Sequence, residues 1–207
     1  MGADTEVLIV GAGPVGLTLA IDLGQKGVRC TLIERKEAPQ FLPKMERCNA
    51  RTMEIFRRMG LAGKIRAAGL DRNAPMDVYV ILAMNQPPLL RLPYPSVAEA
   101  RRQIDACTDG SMPLEPYQLI SQYTLEPLLK SVAQALPGVT VRYGCEFLSL
   151  EQDATGVTAR VRNGAGPIAA VRAAYLVGCD GGASQVRQGK PRCVPFETFP
   201  SGKSSPW

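Results

Sequence analysis

The sequence predicts an α/β chain: a parallel β-α-β unit at the N-terminus, then further helices and a small antiparallel β layer. Three observations carry this. Glu6–Val10 (EVLIV) and Val28–Glu34 (VRCTLIE) are short apolar runs, as expected of parallel strands buried on both faces. Between them, GAGPVG supplies clustered glycines and VGLTLAIDLGQKG supplies apolar residues at near-helical spacing. Downstream, Val139–Tyr143, Cys145–Leu150, Gly156–Arg162 and Ile168–Val171 alternate like strands, and their grouping predicts the antiparallel layer.

Taken in order, the first helix carries Leu17, Ala20, Ile21 and Leu23 on its apolar side, and Gly27 closes it. Thr52–Met59 reads as a helix with Met53, Phe56 and Met59 in the core, ended by Gly60. Asp71–Leu92 is proline-rich around a strand-like DVYVIL, and Pro93–Pro116 reads as irregular. Tyr117–Ala135 predicts a long helix with Ser121 as a cap and Leu125, Leu128, Leu129 and Val132 on one face. Ala174–Gly178 is a further buried strand, followed by CDGGAS. Arg57–Arg58 and Arg101–Arg102 read as solvated faces, and Cys179 as a small buried residue. From Gln188 the composition shifts to an irregular, proline-rich tail over residues 188–207.

Composition narrows the function classes. The chain has 207 residues, 45% hydrophobic and 21% charged, which fits a globular protein and excludes a disordered or fibrous one. Histidine is absent, which removes a Ser-His-Asp triad, a histidine-ligated metal and a histidine general base. The six cysteines form no C-x-x-C pair, so no metal site is predicted. No apolar run approaches the ~20 residues of a membrane-spanning helix, and no secretory signal is read. Scattered cysteines without a signal point to a reducing cytoplasm. The net charge of +5 comes without an aromatic-interleaved basic stripe, so neither nucleic acid nor membrane is an expected partner.

The strongest motif is G-x-G-x-x-G between a strand and a helix, with Glu34 at the end of the next strand. This is the Rossmann-like dinucleotide fingerprint. Gly11 permits the tight turn, Gly13 lets the backbone approach a pyrophosphate, and Gly16 allows close helix–strand packing. Pro14 and Val15 open the helix whose N-terminal N–H groups face the phosphates. Glu34, with Arg35 beside it, is placed at the ribose hydroxyls, and its carboxylate repels a ribose 2′-phosphate. The fingerprint therefore fits FAD or NAD better than NADP and does not separate the first two.

Three further segments separate them by resemblance. YLVGCDGGASQVR (Tyr175–Arg187) resembles the Asp-Gly motif of the flavoprotein aromatic hydroxylases, the single-component FAD-dependent monooxygenases. MERCNARTMEIFRRMGL (Met45–Leu61) resembles their arginine-bearing stretch, and YQLISQYTLEPLL (Tyr117–Leu129) their glutamine-bearing helix. The resemblance implies a para-hydroxybenzoate-hydroxylase-like fold, FAD as cofactor, NADH or NADPH as reductant and a small aromatic substrate. It assigns Gly11, Gly13, Gly16 and Glu34 to the ADP half of FAD and Arg47 to the pyrophosphate and the reductant's path. Gln122 is assigned to the ribityl and phosphate region, and Asp180 and Gly181 to the Asp-Gly pair. Arg187 is expected to pair with Asp180. The resemblance names no catalytic acid or base in this chain.

Residues 1–187 are thus expected to form an FAD-binding domain that includes a partial substrate-domain segment at about 71–116. Family members continue much further, to a Gly-Asp motif that is absent from this sequence. The chain reads as a truncated N-terminal portion, and a shifted reading frame is the expected origin of its tail. A substrate-domain segment without its partner sheet predicts uncovered apolar surface and self-association. The competing readings are a catalytically inactive FAD- or nucleotide-binding fragment and an NAD-dependent dehydrogenase.

Overall fold

The structure is a computed structural model that describes residues 3–39 and 45–189. In chain order the elements are β1 (Thr5–Val10), α1 (Pro14–Gln25), β2 (Cys30–Glu34), β3 (Arg47–Cys48), α2 (Ala50–Arg58) and α3 (Ala62–Ala68). There follow β4 (Val78–Val80), β5 (Leu90–Leu92), α4 (Val97–Ala106), β6 (Gln118–Leu119) and α5 (Gln122–Gln134). The last are β7 (Val139–Tyr143), β8 (Cys145–Asp153), β9 (Gly156–Asn163), β10 (Ile168–Gly178) and α6 (Gln185–Gln188). They divide into two compact units. The first comprises the chain up to Ala38 and from Ala133 onward, and the second is Pro39–Val132. Of the predicted tail over residues 188–207, Gln188 closes α6 and Gly189 caps it, and the part from residue 190 lies outside the described residues.

The first unit is built on one six-stranded sheet in the order β7-β2-β1-β10-β9-β8. β7, β2, β1 and β10 run parallel, whereas β9 and β8 continue the sheet antiparallel. The predicted antiparallel layer is therefore present, but it is continuous with the parallel strands. Two expected details change. Val139–Tyr143 is a parallel edge strand on β2. Ile168–Val171 and Ala174–Gly178 are halves of one strand, β10, whose first half pairs with β9 and whose second half pairs with β1. Strand periodicity reports which face a residue occupies, not which neighbour it bonds, so this exchange of partners left no mark in the sequence.

Burial follows the alternation. Leu8, Val10, Ile33, Cys145, Phe147, Ala159, Val161, Ala173 and Val186 form one core cluster. Val7, Ile9 and Leu32 alternate to the other face. Helix α1, which packs on β1, β2 and β7, buries Leu17, Ala20 and Ile21. The close approach of α1 to β7 requires Gly24, because a Cβ there would overlap Val139.

In the second unit Met53, Phe56 and Met59 are buried, as the three-residue spacing predicted. Pro93–Pro116 is not irregular throughout: it contains α4. Ser96 accepts a hydrogen bond from the Glu99 N–H, and the Glu99 carboxylate accepts one from the Ser96 N–H, a complete capping box hidden among prolines. The predicted helix over Tyr117–Ala135 begins only at Gln122, because Gln118–Leu119 pairs antiparallel with Arg47–Cys48. DVYVIL forms β4, paired with β5 in a separate two-stranded ribbon. This hairpin exposes Val80, Leu82, Met84 and Leu89, with Met84 at 91%.

Candidate functional site

The glycine turn is built against the far end of β10. The Gly11 N–H donates to the Ile33 carbonyl at 2.8 Å, and the Cys179 N–H donates to the Val10 carbonyl at 2.7 Å. Gly11 has φ +106°, and a Cβ on it would stand 2.5 Å from the Cys179 carbonyl oxygen and 2.9 Å from the Asp180 nitrogen. Both the left-handed backbone and the contact demand glycine. A Cβ on Gly16 would overlap the Gly11 carbonyl and sit 3.3 Å from the Cys179 Cβ. Gly13 differs: its Cβ position has nothing within 4 Å. The turn is packed at its first and third glycines and open at its second.

Gly13 is also the N-cap of α1 and supplies no side chain to satisfy the helix, with Pro14 at the first helical position. The early N–H groups of the helix, at Val15 and Gly16, have no intrahelical acceptor. The Val15 side chain is exposed beside them. Such a terminus carries partial positive charge toward an anion. Glu34 is half-buried at the end of β2. One carboxylate oxygen accepts from the Ala12 N–H at 2.9 Å and the other from the Lys36 N–H at 3.1 Å. These bonds fix the carboxylate beside the turn and leave lone pairs for hydroxyl donors. Arg35 is exposed at the strand's end.

Asp180 and Gly181 belong to the same unit and adjoin this turn through Cys179. Gly181 has φ +86° and open space at its Cβ position. The Asp180 carboxylate accepts from the Ser184 hydroxyl at 2.6 Å and from the Val186 N–H at 3.2 Å, so it organises the start of the short α6. The expected Arg187–Asp180 pair is replaced. The Arg187 guanidinium donates to the Gly182 carbonyl, and its N–H donates to the Ser184 hydroxyl. Asp180 is already engaged by these nearer donors, and the turn is held through its backbone instead. Cys179 is half-buried rather than fully buried, and desolvation pushes its thiol up, with Asp180 adding to the effect.

In the second unit Arg47 lies on β3, and Gln122 opens α5 just beyond β6. Arg47 lies opposite Leu119, the Ile120 N–H donates to the Glu46 carbonyl, and the Gln122 N–H donates to the Met45 carbonyl. The Arg47 guanidinium stands over the Tyr117 ring, 5.8 Å from its centroid. The Gln122 amide nitrogen donates to the buried Glu126 carboxylate at 2.6 Å. Sequence reasoning missed Glu126, although its i,i+4 spacing from Gln122 was the available signal.

Arg57, Arg58 and Arg102 are exposed, as expected of solvated faces, whereas Arg101 is half-buried; Arg57 and Arg101 are nonetheless both paired. Together with Arg66 they converge on Glu115, which is 6% exposed. Sequence spacing gave no sign of this node, because its members come from α2, α3, α4 and the segment before β6. Among the described residues no group of three or more His, Cys, Asp or Glu is arranged to hold a metal, and no helix is long and apolar enough to cross a membrane.

The described cysteines differ sharply in environment. Burial pushes the Cys48 thiol up to about 11 and raises those of Cys30 and Cys145. At Cys107 the hydrogen bond to Asp109 raises the thiol, but bonds from Ser111 and from the backbone at Met112 and Asp109 outweigh it and lower it overall. Thiolate, not thiol, is the nucleophile. Brief alkylation at about pH 8 is therefore expected to label Cys107 first and Cys48 last among these, as peptide mass spectrometry would show. Equal labelling of both would contradict these environments.

Comparison with known proteins identifies the family. The model of the FAD binding domain family matches residues 4–201. The chain is 34% identical over 184 residues to the FAD-dependent monooxygenase apdD of Emericella nidulans, covering 88% of this chain and 30% of that protein. It is 36% identical over 187 residues to the aklavinone 12-hydroxylase DnrF of Streptomyces peucetius, covering 89% and 37%. A solved ternary complex of aklavinone-11 hydroxylase with FAD and aklavinone superimposes with a TM-score of 0.78 at 31% identity, covering 91% of this chain and 35% of that one. The chain belongs to the FAD-binding domain family of flavoprotein aromatic hydroxylases, with the α/β fold that the sequence predicted. It spans about a third of the length of the curated relatives it matches.

Proposed function

We propose that this chain is the nucleotide-binding portion of an FAD-dependent aromatic hydroxylase. The observation that carries the reading is the turn at Gly11–Gly16, closed against Cys179 and Asp180 yet open at Gly13, with Glu34 fixed beside it. The N-terminus of α1 takes the pyrophosphate, and Glu34 accepts from ribose hydroxyls. Pro14, Val15 and Arg35 frame that site, and Gly181 keeps the backbone after Asp180 free of a side chain. The family resemblance supports the assignment of Arg47 to the pyrophosphate and of Gln122 to the ribityl region.

FAD, when bound, supplies redox and oxygen-activating chemistry, with NADH or NADPH as reductant and a small aromatic compound as substrate. This chain's residues bind and orient the nucleotide. The reading includes a cytoplasmic location, supported by the unpaired cysteines among the described residues. It also includes self-association, supported by the exposed apolar β4–β5 hairpin. A second reading, nucleotide binding without turnover, rests on the same observation, since the turn and Glu34 account for binding alone.

The test is the visible spectrum of the purified chain after FAD is added and unbound flavin removed. Retained flavin absorbance is expected, and its absence from a folded chain would overturn both readings. Oxidation of NADPH or NADH with oxygen uptake would then favour the first reading over the second. Glu34→Gln is expected to weaken FAD binding about ten- to a hundredfold, the equivalent of a lost charge-assisted hydrogen bond. Flavin fluorescence titration checks this, and an unchanged affinity would remove Glu34 from the site.

A further inference from the structure

We propose that Glu115 is a positioning residue for Arg47, acting through Tyr117. The inference rests on the reading that Arg47 serves the cofactor, and it concerns the Pro39–Val132 unit alone.

Arg47 is weakly held by its own neighbours. It sits on a two-residue strand, and its carboxylate contact, Glu46 at 3.9 Å, is largely solvent-exposed. An exposed pair of that kind fixes little. Among the described residues its other side-chain partner is the face of Tyr117. Whatever orders that ring therefore orders the guanidinium.

Tyr117 stands in a clamp. On its N-terminal side, Glu115 accepts from Arg66 at 2.8 Å and also pairs with Arg101 and Arg57. Arg66 donates to the Pro116 carbonyl at 2.7 Å as well. The Leu114 N–H donates to Glu54, and the Leu114 carbonyl accepts from Arg101. On the C-terminal side, the buried Gln118 accepts from the same Arg66 at 3.0 Å and donates to the Leu70 and Leu119 carbonyls. One arginine thus ties the residues on both sides of Tyr117 to α3, and Glu115 holds that arginine while gathering two more from α2 and α4. The consequence is a fixed aromatic platform at the one place where Arg47 needs support.

Two measurements on the whole chain test this. The first is ¹⁵N relaxation of the Arg47 Nε–H without flavin. The second is FAD affinity in a double-mutant cycle of Glu115→Gln with Arg47→Ala. Glu115→Gln is expected to lower the order of the Arg47 Nε–H and to weaken FAD about tenfold, with no further weakening in the Arg47→Ala background. Tyr117→Leu, which leaves Glu115 and its arginines in place, is expected to loosen Arg47 to the same degree. A role confined to folding would leave Arg47 order unchanged in the folded variants, or give affinity losses that multiply in the cycle. Either result overturns the proposal. If Glu115→Gln does not fold, Glu115→Asp keeps the charge but shortens its reach. It is expected to loosen Arg47 by a smaller amount, and unchanged order there overturns the proposal equally. Should the wild-type chain bind no FAD, the functional reading falls while the relaxation data still decide the positioning role.

Discussion

Gly16→Ala is expected to abolish flavin retention and to destabilise the first unit by about 3 kcal/mol, the upper end for overpacking. The added methyl falls on the Gly11 carbonyl, which is backbone and has no rotamer into which it could withdraw. Helix α1 would have to retreat from β1, opening the contact with Cys179 that closes the turn. Gly13→Ala is the matched comparison. Its methyl meets nothing within 4 Å, so stability is expected to change by about 1 kcal/mol or less, the scale of an N-cap exchange, while FAD affinity falls. Urea melts of the flavin-free chain together with fluorescence titration separate the two effects. A wild-type melt for Gly16→Ala would show that α1 is not seated as described.

Glu115→Ala is expected to cost about 3 kcal/mol, the lower end of the range for breaking a buried ion pair. The lower end applies because Arg57, with its side chain 55% exposed, can rehydrate. Arg66 and Arg101 are more enclosed and would be left with uncompensated positive charge. Arg66 would keep Gln118 and the Pro116 carbonyl as acceptors but lose the carboxylate that fixes it, so the loss falls on all three arginine contacts. The urea midpoint measures this. An unchanged midpoint would mean that all three arginines reach water without cost.

The parts of the fold visible in the sequence were those written locally. EVLIV, the glycine spacing and Glu34 specify the β-α-β unit within thirty-four residues, and the turn is built as those residues required. The capping box at Ser96 and Glu99 was equally local, yet surrounding prolines masked it. The Glu115 node could not be read at all. Arg66 lies forty-nine residues from Glu115, and a surface arginine and a buried one look alike until the chain is folded. Arg187 illustrates the reverse: a charge-pair expectation was sound electrostatics, but closer hydroxyl and amide donors had already taken the carboxylate.

The pairing of β1 with β10 also dictates an order of events during synthesis. Val10 is made early, yet its parallel neighbour Gly178 follows only after the whole Pro39–Val132 unit. Closing so long a loop is entropically costly and slows folding. The glycine turn therefore lacks the Cys179 carbonyl that shapes it until the end of β10 has been made. Until β10 docks, the edge of β1 that it pairs with stays open, an apolar strand edge of the kind that invites misassembly.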